Sequence, residues 1–98
     1  MKYDFNKGSE TVGAIEFKKW LSEETIRSLK QDKKNNDPEA LKGTIFLFIN
    51  RSYEAHIPES DIAEIFGVAV VRAGYSEQEE NFVFDWFGTF AEIASKMY

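Results

Sequence analysis

Apolar side chains recur every three or four positions along most of this chain, the spacing of one side of a helix rather than of a strand face. The first such run is predicted from near Ser9 or Thr11 to about position 31, with Phe17, Leu21, Thr25 and Leu29 on one side and Ala14, Ile15 and Ile26 beside them. Gly13 weakens its opening turns by about 1 kcal/mol relative to alanine. The polar stretch QDKKNNDP, residues 31–38, predicts a loop, closed by Asp37 as a helix cap and Pro38 in the first turn.

A second helix is predicted over 37–55, with Leu41, Ile45, Phe48, Ile49 and Tyr53 inward. Its centre, GTIFLFIN, has the β-branched and aromatic content of a strand. The capped start, the helical spacing and the lack of a partner strand select a buried helix instead. The third, 58–73, turns Ile62, Ile65, Phe66, Ala69, Val70 and Ala73 inward and stops at Gly74. Ser76 and Glu79 form a capping box that opens the fourth, 76–97. There Phe82, Val83, Trp86, Phe87, Phe90, Ile93, Ala94 and Met97 fill one broad arc, and Asp85, Gly88, Thr89, Glu92, Ser95 and Lys96 the opposite one. Four helices with short connections predict an all-α fold, a small four-helix bundle formed by residues 1–98 as a single domain.

Composition sharpens this picture in two ways. Nine Phe, four Tyr and two Trp supply the large side chains that a chain of 98 residues needs for a core. Cysteine is absent, which excludes disulfides and thiolate chemistry. The N-terminal MKYDFNKGSE lacks the apolar centre of a signal peptide, and no stretch reaches membrane-spanning length, so the expected location is the cytoplasm.

Charge is distributed unevenly. Residues 1–51 hold ten Lys/Arg and eight Asp/Glu, a net of +2, whereas residues 52–98 hold two and nine, a net of −7. A surface of that second sign repels phosphate backbones and attracts basic proteins.

The run IAEIFGV, residues 62–68, has the alanine, the glycine four positions on and the following valine of a helix-turn-helix. A reading helix would then start near Ala69 and offer Ala69, Val70, Val71, Arg72, Gly74 and Tyr75 to the major groove. Only Arg72 among these can pair with a base edge. Between Pro58 and Glu80 it faces six acids, the wrong sign for counterion release. A helix-turn-helix regulator using residues 58–75, assisted by Lys18, Lys19, Lys30, Lys33 and Lys34, is therefore the second reading.

Chemistry has few candidates. His56 lies among Glu54, Glu59 and Asp61, but no second histidine or cysteine completes a metal set, and no cofactor is implied. The glycines are scattered rather than gathered in a phosphate loop, and serine has no basic partner other than His56. An enzyme is not expected. Two aromatics fall outside the core arcs: Trp20, among Glu16, Glu24 and Arg27, and Phe84, beside Gly88 and Ser95. Aromatics ringed by charge are typical anchors of binding patches.

The expected function is thus that of a small acidic protein-binding module that neutralises a basic partner, a nuclease or another protein that grips nucleic acid. In size and charge alone it resembles small immunity proteins, antitoxins and phage-encoded inhibitors. The candidate contact residues are Glu54, Glu59, Asp61 and Glu64, then Glu77, Glu79, Glu80 and Asp85, with Phe84 and Trp20 as apolar anchors. No direct nucleic-acid or membrane contact is expected, and the surplus phenylalanines of the second and fourth helices leave self-association open.

Overall fold

The computed structural model describes residues 12–98. They form α1 (Val12–Asn35), α2 (Pro38–Glu54), α3 (Glu59–Arg72) and α4 (Glu77–Met97), and among the described residues there is no strand. GTIFLFIN lies wholly within α2. The predicted start of the first helix, at Ser9 or Thr11, lies outside the described residues.

Two antiparallel hairpins, α1–α2 and α3–α4, make a four-helix bundle. The Thr44 hydroxyl of α2 donates to buried Asp32 of α1 at 2.5 Å, and the Arg51 guanidinium sits 5.1 Å from the Trp20 ring centre. Helices α1 and α3 run in the same direction. Lys18 meets Asp61 at 2.9 Å at one end, and the Tyr75 hydroxyl donates to the Leu29 carbonyl at 2.7 Å at the other. Helices α2 and α4 are likewise parallel: Lys42, near the start of α2, lies 5.1 Å from the ring centre of Trp86 in the middle of α4, and Tyr53 stacks on Tyr98 at their ends.

Phe17, Leu21, Thr25 and Leu29 are buried as their spacing predicts, and so are Ile45, Phe48, Ile49, Ile62, Phe66, Ala69, Val70 and Val83. Between α3 and α4 the core is aromatic. Phe66 stacks on Phe87 at 4.5 Å between ring centres, with Phe48 at 5.3 Å and Phe84 edge-on at 5.9 Å.

All three connections end the preceding helix in the same way. The residue after the cap takes a left-handed conformation, at Asn36, His56 and Gly74, and the next amide reaches back five residues. Asp37, Ile57 and Tyr75 donate to Asp32, Ser52 and Val70 respectively, the Schellman pattern that satisfies the last carbonyls of a helix. Two of the residues donating these closing bonds, Ile57 and Tyr75, are buried, which holds each turn against the core.

One boundary differs from the sequence reading. The stretch predicted as a loop from 31 is helical to Asn35, so only Asn36 and Asp37 join α1 to α2. Asparagine tolerates the left-handed region, which lets a polar tract close a helix without glycine. Lys33 and Lys34 also lie in the last turn of α1, where they favour the negative end of its dipole.

The turn also accounts for His56. It is exposed, with φ of 61°, and its conformation closes the end of α2. Replacing His56 with glycine removes the side-chain penalty of that conformation, and the expected result is a gain of about 0.5–1 kcal/mol in stability. A urea titration checks it. A loss instead would mean that the imidazole makes a contact worth more than the backbone strain.

Candidate partner-binding surface

The predicted contact residues do not form one patch. Starting from α3, Asp61 and Glu64 are three residues apart and lie about 60° from one another around the helix, whereas Glu59 lies about 140–160° from both. Glu59 faces α4 and accepts a hydrogen bond from the Tyr53 hydroxyl at 3.3 Å. Burial first, and then the Glu59 charge and hydrogen bond, push the Tyr53 phenol above its ordinary pKa. Asp61 turns the other way and is held by Lys18. Glu64 is exposed on the outer side, at helical spacing from Ser60, Gly67 and Val71.

Of the remaining acids, Glu54 closes α2 on its outer side, and Glu79 is engaged within the fold. The Ser76 amide donates to Glu79 at 2.9 Å and the Lys33 ammonium approaches it at 3.2 Å. The Ser76 amide first, then the Ser76 hydroxyl and Lys33, hold the Glu79 carboxyl below its ordinary range. Lys33 also donates to the Gly74 carbonyl, which fastens α1 to the α3–α4 turn. Asp61 and Glu79 are thus members of ion pairs within the fold, though both side chains stay partly exposed.

Trp20 is likewise engaged within the fold and stands apart from these acids. Its ring tilts against Phe17 at 5.7 Å and lies beneath Arg51, leaving it 37% exposed. It sits on α1 about 160° away from Lys18 and the acids of α3. Phe84 is 38% exposed, but its edge contact with Phe66 places it at the seam between α3 and α4.

What remains forms the outer side of the α3–α4 hairpin. At helical spacing, Glu77, Phe84, Gly88, Ala91 and Ser95 share one side of α4, flanked by Glu80, Asp85 and Glu92; Glu59, Ala63 and Gly67 face them from α3, with Glu64 beyond them on the outer side. Arg72 and Lys96 are the two basic residues of these helices. Arg72 shares the α1 side of α3 with Asp61, and Lys96 lies at the far edge of α4, 3.8 Å from Glu92. Five glutamates, at 59, 64, 77, 80 and 92, border this surface, and among the described residues the nearest cation on these two helices is Lys96 at its edge, paired with Glu92.

This surface is concave at its open end. A groove of about 240 Å³ opens between Ile62 and Ala63 on one side and Phe87, Ala91 and Ser95 on the other. Glu59 and Glu92 stand at its rim, and Tyr53 closes its end. An apolar floor under acidic walls suits an apolar or cationic side chain. Sequence reasoning missed Glu92 and Tyr53. Glu92 follows Asp85 by seven residues and so lies on the same side of α4, a signal that was present.

The seam is read differently from the helix-turn-helix expectation. Helix α3 continues from Glu59 to Arg72 through Gly67, so no turn separates a reading helix at Ala69. Val70 and Ala69, expected at base edges, are buried in the core. Among the described residues no group of three His, Cys, Asp or Glu side chains converges as a metal site requires, and no helix is long and apolar enough to cross a membrane.

Comparison with protein-family models, with curated proteins and with solved structures found no match to this chain.

Proposed function

We infer that this protein binds a basic partner through the outer side of the α3–α4 hairpin and neutralises it by covering its cationic surface. The reading is carried by the five glutamates around the Phe84 seam, which outnumber the one cation at their edge among the described residues, Lys96. A nuclease, or another protein that grips nucleic acid, needs a positive phosphate-binding groove, and a carboxylate-lined body seated there excludes the substrate. The charges set the rate of encounter, and Phe84 with the groove floor sets the lifetime of the complex.

The test begins with isolation of the bound protein from the native host, followed by kinetics with that protein. Reversing Glu59, Glu64 and Glu92 together to lysine is expected to slow association about tenfold at low salt, with the difference shrinking at high salt. The same reversal at Glu39, exposed at the start of α2, is the control and is expected to change little. A partner whose contact surface is acidic or wholly apolar overturns the reading. So does salt-sensitive binding of duplex DNA by the protein alone, measured by fluorescence anisotropy.

A further inference from the structure

The sequence reading assigns the whole apolar arc of α4 to the core, yet Phe82 is 63%, Ile93 46% and Met97 68% exposed. These three, with half-buried Trp86 and Phe90, form a stripe that runs for about 22 Å along α4 beside α2. Phe46 of α2, 42% exposed, packs edge-on against Phe90 at 5.8 Å and widens it. A continuous exposed band of this kind marks a protein contact.

The stripe is nearly symmetric about Phe90. Phe82 stands eight residues before it and Met97 seven after; Trp86 stands four before and Ile93 three after. Two copies of α4 crossing antiparallel at Phe90 thus set Phe82 opposite Met97, Trp86 opposite Ile93 and Phe90 opposite itself. The flanking charges obey the same symmetry. Asp85, five residues before Phe90, and Lys96, six after, lie on the same flank of the stripe, remote from α2, so each faces the other across the pair. Antiparallel contact also sets opposed helix dipoles side by side.

We propose that the chain forms a two-fold symmetric homodimer through this face, with α4 antiparallel to its copy and Asp85 of each chain paired with Lys96 of the other. Lys96 is at present held only loosely by Glu92, at 3.8 Å with both side chains more than 70% exposed, so it is free to change partner. The dimer goes beyond the neutralising role and does not depend on it. Asp85, at the border of the acidic surface, is engaged in the pair, while the Phe84 side of α4, with Glu77, Ala91 and Ser95, faces away from the stripe and stays open.

Sedimentation equilibrium of the full chain is expected to give twice the monomer mass, in a concentration-dependent manner. Asp85→Lys alone and Lys96→Asp alone should each weaken self-association about tenfold, and the double variant should return it to within about twofold of the original. Register is read separately. The chain has no cysteine, so the variant carrying both Phe82→Cys and Met97→Cys should oxidise to a covalent dimer, whereas Val71→Cys on α3 should not. Phe82, Met97 and Val71 are all more than 60% exposed, so folding is preserved in these variants and can be checked by circular dichroism. A monomeric mass up to about 1 mM overturns the proposal and leaves the stripe to a different protein. A dimer in which the charge swap fails to restore association, or in which Phe82→Cys alone cross-links as well as the pair, overturns the antiparallel arrangement.

Discussion

Phe66→Ala is expected to lower the unfolding free energy by about 3–5 kcal/mol. The ring is fully buried and touches three other rings, Phe48 and Phe84 as well as the stacked Phe87. Removing it therefore forfeits both burial and aromatic contact, at the place where α3 and α4 are held apart by rings rather than by close backbone approach. A domain of this size has about 5–15 kcal/mol of stability in all, and each kcal/mol is worth about 4–8 °C in Tm. The midpoint should then fall by at least about 12 °C. Leu47→Ala removes apolar bulk from a side chain that is 48% exposed and is expected to cost no more than about 1 kcal/mol. Equal losses in the two variants, read by urea titration, would show that Phe66 is not the centre of the core.

The contrast between Phe66 and Phe82 shows where periodicity stops being informative. Both lie on apolar sides of their helices, but Phe66 is 0% and Phe82 63% exposed. The arc from Phe82 to Phe87 spans about 140° of α4, while its neighbours α2 and α3 approach from the other margin of that arc. Hydrophobic spacing locates an apolar side; only the placement of neighbouring helices decides how much of it is covered. Ile15, at 54% exposed, was misread for the same reason.

Element ends were legible where a residue type has one local role. Asp37 caps α2 through the Glu39 and Ala40 amides, Ser76 and Glu79 form the reciprocal box, and Gly74 adopts φ of 86°. Asn36 and His56 do the work of Gly74 without being glycine, which is why the end of α1 was missed.

The acidic surplus after Arg51 was plain from the sequence, and its partition was not. Lys18 neutralises Asp61 across 43 positions, and Lys33 meets Glu79 across 46. Such pairs depend on the parallel course of α1 and α3 and on where the α3–α4 turn comes to rest, and nothing local encodes them. The surface that survives, glutamates around Phe84, is smaller than the charge count suggested and more specific in shape.

Alkaline solution should destabilise the protein through one residue above all. Tyr75 is buried at the end of α3, its hydroxyl donating to Leu29, and its pKa is pushed up to about 12 from 10.0 by burial first and then by the charges of Asp32 and Glu79. In the unfolded chain the same phenol ionises near its ordinary value. The stability it contributes is therefore fully present below pH 10 and is lost as pH rises towards 12, a fall of roughly 2–3 kcal/mol. Tyr75→Phe keeps the ring but cannot ionise. At neutral pH it should be less stable than the original by about 1 kcal/mol, because the hydrogen bond to Leu29 is gone. Between pH 10 and 12 that deficit should vanish and reverse. Urea titrations of both proteins at pH 8, 10 and 12 separate this from the other ionising groups, which the two share. Curves that stay parallel across the range would mean that the phenol reaches solvent, and that the contact joining α1 to the α3–α4 turn is looser than its hydrogen bond implies.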